Sequence, residues 1–490
     1  MDNCEYYDRV YGCWFGKNIG GSIGIPVEGT KEFLSVPAAE PSEILPNDDI
    51  DLQLVWLDIL KKKGVKINSS DLAEGWLNNI TYPCDEYGFA KVNLKLGLKP
   101  PVTGYYNNWF HNGMGAPIRS EIWACIAPGR PEVAAWYAWQ DASVDHWEEG
   151  VYGEIFLAAL ESAAFYSRDL KTVIGTALSF IPGNSAIARV AKRVSSLHGE
   201  GMPLKECRDS LLIEFGHHNF TDCVQNIGFI IAGLLYGEGD FLRTIVSAVN
   251  CGYDTDCTGA TAGAIAGIMT GREKLLASGY ASNGKVVTGK GIRDIEAPET
   301  LSELTKDIME LGKKVKDKKD LPALPASFSL PPLPDFSPPL SYAFEISEPF
   351  ELEGIERAEE AVLKNEYNNF TMKIFKSSFF DLNPYFRKPD SAIFLKGIIK
   401  IPKKKKVKLF PASTDGVKMW LDGKLILSHH QHSEFIPASH RPGSPLAEAE
   451  IDGGEHVVLL EVIRCNGKLD FAWIVANRKN FLLTRAEYQK

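Results

Sequence analysis

The sequence predicts two domains of different class: an all-helical domain over residues 1–316 and a β-sandwich over 341–490, joined by a proline-rich segment at 317–340. Three observations carry this reading. A chain of 490 residues is too long for one hydrophobic core. Up to about Lys316 apolar residues recur at helical spacing, as in Leu52, Val55, Trp56, Ile59 and Leu60, and period-two runs are scarce. Beyond a proline-rich stretch the period changes to two.

In chain order, the helical part reads as helices joined by loops rich in Gly, Pro and Asn. Val224 to Leu235 is apolar almost all round, as is Thr258 to Met269 with its many Ala and Gly, so both belong in the middle of the domain. The segment from Leu321 to Leu340 can continue neither helix nor sheet and reads as an extended linker or a surface strap. After it AIFLKGIIKI, KVKLF, VKMWLDGKLIL, HVVLLEVI and FAWIVA read as strands, with Asp422-Gly423 a hairpin signal and Lys403 to Lys406 a solvated turn or edge.

Composition narrows the function classes. With 44% apolar and 24% charged residues the chain is ordinary for a globular protein, and its net charge of −10 argues against a general nucleic-acid binder. No signal peptide and no run of 18 apolar residues is visible, so neither export nor a membrane partner is expected. The nine scattered cysteines lack a CxxC pair, which suits reduced thiols in a cytoplasm. Oligomeric state is not legible.

Four features could carry chemistry. Gly12, Gly16, Gly20 and Gly24 lie on one helix face, which calls for close approach of another backbone, and Glu28 follows where that helix should end. Asn47-Asp48-Asp49-Ile50-Asp51 opens a helix; one Asp suffices as a cap, and three look like oxygen ligands for a hard cation. The same arrangement recurs in Asp254-Thr255-Asp256-Cys257-Thr258, again before an apolar helix. Two such loops could share a pocket only if a cation neutralised them. Between them lie Asn112-Gly113-Met114-Gly115-Ala116-Pro117-Ile118-Arg119 and Asp141 to Trp147, where glycines admit a ligand to the backbone and His146 could face a sugar.

Taken together and in this order, GGSIGIPVEG, NDDIDLQ, NGMGAPIR, DASVDHW and GYDTDCTGATAGAIAG resemble the motifs of the ADP-ribosylglycohydrolases, also called the dinitrogenase-reductase-activating glycohydrolase family. The resemblance covers most of residues 6 to 275. It implies an all-helical fold with two Mg2+ ions (or Mn2+) in a cleft. Metal ligands would be Asn47, Asp48, Asp49, Asp254 and Asp256. Glu28 would lie beside the ions, and Asn112, Gly113, Gly115 and His146 would line the substrate site. Recognising ADP-ribose would require a partner for its pyrophosphate, such as Arg119 or a helix N-terminus.

The implied activity is hydrolysis of an N- or O-glycosidic bond to a ribosyl or ADP-ribosyl group, with Glu28 or a metal-site Asp such as Asp49 guiding the water. The substrate could be an ADP-ribosylated molecule, a nucleoside or another small glycoside; a non-catalytic, crystallin-like binding protein is the competing class. Two departures from the family bear on the metal. Asn47 stands for its Thr, and Cys257 stands for its second Thr, where a thiol is a poor partner for magnesium and Thr258 could substitute. The C-terminal part resembles jelly-roll or sugar-binding sandwiches appended to glycoside hydrolases. Trp420, Trp473, His429, His430 and His432 are candidates for a binding face, against the plainer reading of core tryptophans and a surface histidine loop.

Overall fold

The computed structural model describes residues 1–83, 85–280, 284–465 and 467–483. They form two compact units: Met1–Tyr82 with Leu98–Pro334, and Pro83–Gly97 with Asp335–Lys490. The short helix Asp85–Lys95, which lies within the helical stretch of the sequence, thus belongs to the second unit.

The first unit is helical. Its framework includes α1 (Asn3–Gly24), α2 (Asp48–Lys63), α3 (Ser120–Ile126), α4 (Pro131–Asp145), α5 (Glu149–Ala164), α6 (Cys223–Tyr236) and α7 (Thr255–Thr270). Asp2 caps α1 by accepting from the Cys4 and Glu5 amides, satisfying donors that a helix start leaves orphaned. From Arg9 to Gly24 every residue of α1 is buried. The reason is its antiparallel partner α7. A Cβ on Gly12, Gly16, Gly20 or Gly24 would sit 2.3, 1.9, 1.9 and 2.1 Å from the carbonyl oxygens of Gly267, Gly263, Gly259 and Thr255. The relation is reciprocal, since a Cβ on Gly263 would meet Gly16 O at 2.2 Å. The glycine spacing read in the sequence is therefore a backbone-to-backbone joint, and both partners supply it.

Most of α2 is buried too, including the whole of Asp49 to Leu60, so this helix runs through the unit instead of lying on its surface. The proline-rich segment is a strap on the helical unit. Leu321 and Leu324 are buried, and the Leu324, Ser327 and Leu330 amides donate to Glu132 O, Ser179 O and the Tyr152 hydroxyl. Among the described residues no helix is long and apolar enough to cross a membrane.

The second unit is a sandwich of two antiparallel sheets. Its strands are β1 (Tyr342–Ser347), β2 (Phe350–Glu351), β3 (Phe370–Phe375), β4 (Ser391–Ile401), β5 (Lys405–Ser413), β6 (Val417–Leu421), β7 (Lys424–His429), β8 (Ala447–Ile451), β9 (Gly454–Arg464) and β10 (Phe471–Asn477). The larger sheet has the order β3-β1-β4-β9-β6-β7, with β2 beside β4; the smaller is β10-β5-β8. Phe344 of one sheet meets Trp473 of the other edge-on at 6.1 Å. On the larger sheet's other face, helix α8 (Ile355–Leu363) covers Ala392, Phe394, Trp420 and Leu459.

Both tryptophans are therefore core residues. The histidines each have a local partner: His429 with Ser433, His430 with Ser428 and His432 with Asp415. Asp422 and Gly423 take φ of 51° and 78°, the left-handed pair that a two-residue hairpin needs.

Candidate metal centre

The site is built where the C-terminal end of α1 lies beside the N-terminal start of α7. Gly24 lies against Thr255 and Asp256, so the turn after α1 carries Glu28 to the loop that opens α7. Carboxylate oxygens of Glu28, Asp254 and Asp256 lie within 4.8 Å of one another. A second group at the same spacing joins Asp49, Asp256 and the Cys257 sulfur. Asp256 belongs to both, so four carboxylates and a thiol occupy one place.

Two of these oxygens have no hydrogen-bond partner although they are buried: Asp49 Oδ2 and Asp256 Oδ1. Burial and the neighbouring Glu28 push the Asp254 carboxyl well above its usual range, and burial with Asp254 does the same to Asp256. Asp48 is raised to about 7 by burial and the adjacent Asp49. Like charges this close cannot all ionise in a buried place unless a cation joins them. The oxygen-rich donor set and its orphaned atoms fit a hard divalent ion.

Asp49 and Asp254 are held from behind. Asn47 caps α2 through its side-chain oxygen, which accepts from the Asp49 amide at 2.6 Å. Lys17, wholly buried within α1, places its ammonium 3.1 Å from Asp49 Oδ1 and 2.7 Å from Glu121. Burial alone would lower the Lys17 pKa, but the charges of Glu121 and Asp49 hold it above the ordinary value. Asp49 thus turns Oδ1 to Lys17. Asn226 of α6 accepts from the Asp254 amide at 3.3 Å and donates to Phe220 O and Asp222 O. Asp222 pairs in turn with Gly113, and the Cys223 amide donates to Asn112 O. The Asn112–Gly113 loop is thereby tied to the second acidic loop.

Three expectations need correction. Arg119 is fully buried, and all five of its N–H groups are used: by Asp141, by Asp145 and by Gly115 O. Its guanidinium also lies 5.3 Å from the Trp76 ring. With no donor left it cannot meet a pyrophosphate; it is the centre of a structural ion cluster. His146 is likewise fully buried, its Nε2 accepting from the Ala116 amide and its Nδ1 3.0 Å from Asp145. It shapes the glycine loop from beneath and does not face a sugar. Thr258 donates its hydroxyl to Thr255 O within α7, and the side chain that faces the carboxylates is Cys257.

Asp51 also turns away, to the Tyr82 hydroxyl and the Gly289 amide. Asn112 is half-buried, its side-chain oxygen accepting from the Gly150 amide, and Gly115 gives its carbonyl to Arg119. Sequence reasoning missed Lys17, Glu121 and Asn226. A lysine at the centre of an apolar, glycine-rich helix was the available signal for the first; nothing local marks the other two.

Parts of the chain are similar to solved structures. A solved structure described as an ADP-ribosylglycohydrolase-related protein complex is 19% identical with a TM-score of 0.40, covering 64% of this chain and 99% of its own. An anti-sigma factor domain-containing protein from Clostridium clariflavum is 12% identical, with a TM-score of 0.20 and coverages of 29% and 43%. The GH31 alpha-xylosidase from Xanthomonas citri is 13% identical, with a TM-score of 0.19 and coverages of 30% and 14%. No curated protein matches the chain. Residues 2–314, which hold the glycine joint and both acidic loops, match the ADP-ribosylglycohydrolase family, and the chain belongs to that family of glycohydrolases.

Proposed function

We propose that the protein is a metal-dependent hydrolase that cleaves an N- or O-glycosidic bond to a ribosyl or ADP-ribosyl group. The observation that carries this is the convergence of Glu28, Asp254 and Asp256, beside Asp49, with buried oxygens left for a cation. Asp48, Asp49, Asp254 and Asp256 would hold two divalent ions, Mg2+ or Mn2+. Bound there, such an ion would supply positive charge at the ribose hydroxyls and at a water.

The remaining steps fall to the chain's own groups. Glu28 is half-buried, whereas Asp49 is sealed from solvent and paired with Lys17. Glu28 is therefore the better base: it takes the proton of the attacking water as the sugar passes through an oxocarbenium-like state. The Asn112–Gly113 loop, braced against Asp222 and Cys223, forms a firm wall for the substrate.

Release of free ADP-ribose from ADP-ribosyl-arginine tests the proposal. Release should depend on magnesium and vanish in Asp254→Ala. Glu28→Gln should lower kcat by about 100-fold or more while metal content is kept. Unchanged turnover in that variant would remove Glu28 from the mechanism.

A second reading, hydrolysis of a nucleoside or other small glycoside, is favoured by one observation. The burial of Arg119 removes the pyrophosphate partner that the sequence named by residue, leaving only a helix N-terminus for that role. Release from nucleosides, with none from ADP-ribosyl-arginine, would establish it.

A further inference from the structure

The sulfur of Cys257 lies against carboxylates, an unusual neighbourhood for a buried cysteine. It lies within 4.8 Å of a carboxylate oxygen of Asp49 and one of Asp256, and those three atoms are mutually that close. The two acidic side chains each keep an oxygen without a hydrogen-bond partner while almost wholly buried. Donors bound to one ion at about 2.1 Å (oxygen) and 2.3 Å (sulfur) stand up to roughly 4.4 Å apart, so this spacing is one that a single ion can gather with small side-chain movement. The other group, Glu28 with Asp254 and Asp256, is all oxygen. The two halves of the centre therefore differ in kind: one suits a hard cation, and the other does not fit magnesium alone.

We propose that Cys257 is a metal ligand, and that with Asp49 and Asp256 it makes one ion position select a thiophilic divalent cation such as zinc or cobalt(II) over magnesium. The proposal rests on the metal-centre reading above. On binding, the thiol gives its proton to solvent and a sulfur–metal bond forms; no redox change is involved. Thr258, whose hydroxyl is turned to Thr255 O, leaves this corner to the sulfur. A hydrolase of this design would hold two different ions, with the all-oxygen position free to exchange magnesium.

The test uses the full chain, stripped with a chelator and titrated with cobalt(II). A sulfur-to-cobalt charge-transfer band should appear in the near ultraviolet and saturate with one thiolate. Zinc should abolish it, and excess magnesium should not. Cys257→Ser and Cys257→Thr should lose the band, with cobalt affinity falling by at least the roughly 10–100-fold that supporting partners of metal ligands are worth. Cys4→Ser and Cys465→Ser, altering an exposed and a half-buried thiol, should keep it. Should the Cys257 variants not fold by circular dichroism, X-ray absorption of the zinc-loaded wild type decides, with one sulfur neighbour at about 2.3 Å expected. Cobalt bound in stoichiometric amount without the band, or a zinc spectrum with only oxygen and nitrogen neighbours, overturns the role of Cys257 and leaves the metal centre standing. No cobalt or magnesium bound at all overturns the metal centre itself.

Discussion

Arg119 and Lys17 are both wholly buried cations, yet they serve different ends. Arg119 neutralises Asp141 and Asp145, and Trp123 adds a hydrogen bond to Asp141 and another to Glu154. Such a cluster is strongly destabilised when one partner is lost, because the other charges stay buried. Arg119→Lys, which keeps the charge but loses the planar fork, should cost about 3 kcal/mol in denaturant unfolding. KM of the folded fraction should be unchanged; a large rise in KM would return Arg119 to the substrate site. Lys17 is equally satisfied, donating to Asp49, Glu121 and Ile118 O, but one of its partners belongs to the acidic group. It holds Oδ1 of the Asp49 carboxylate, which is grouped with Cys257 and Asp256.

The elements show what was legible and what was not. The four-residue glycine spacing of α1 announced a close backbone partner, and the acidic loops before α2 and α7 announced themselves as a pair. The sequence could not say that the partner of α1 is α7 itself, because Gly259, Gly263 and Gly267 read equally well as small residues of any central helix. The burial of Arg119 and His146 is hidden from the sequence for a related reason: a polar residue beside a glycine loop looks the same whether it faces a ligand or is packed beneath the loop. The joint makes a sharp prediction. Gly16→Ala would put a Cβ 1.9 Å from Gly263 O and should cost about 3 kcal/mol or more by chemical unfolding. Gly175→Ala, in the helix Leu170–Leu178 with nothing within 4 Å of its Cβ, should instead add about 0.5–1 kcal/mol.

At the scale of the whole molecule, two titrating groups of the β unit, His440 and Glu461, have opposite effects. Burial lowers His440 to about 4, and the nearby Arg441 and Lys408 add to this. Its contribution to stability is full above its unfolded value of 6.5 and is lost as pH falls towards 4. Glu461 is raised to about 7, chiefly by burial despite Lys418 at 3.5 Å. Its contribution is full below 4.5 and is lost as pH rises through 7. Each amounts to at most about 3 kcal/mol, so between pH 4.5 and 6.5 they largely cancel. Glu461→Gln should uncover the histidine slope, so that protection of the β9 amides in hydrogen exchange grows steadily over that window. A flat profile in the variant would show that His440 titrates normally.

The glycine joint also acts as a vernier. Its marks repeat every four residues, so the next register in which α1 and α7 could mesh lies about 6 Å along the axis. A slip of that size would carry Glu28 out of reach of Asp254, yet any smaller slip drives a carbonyl into a helix backbone. No half-aligned arrangement is available. The group of Glu28, Asp254 and Asp256 is therefore assembled completely or not at all, and any ion bound there should be lost along the unfolding curve in a single cooperative step rather than weaken ahead of it.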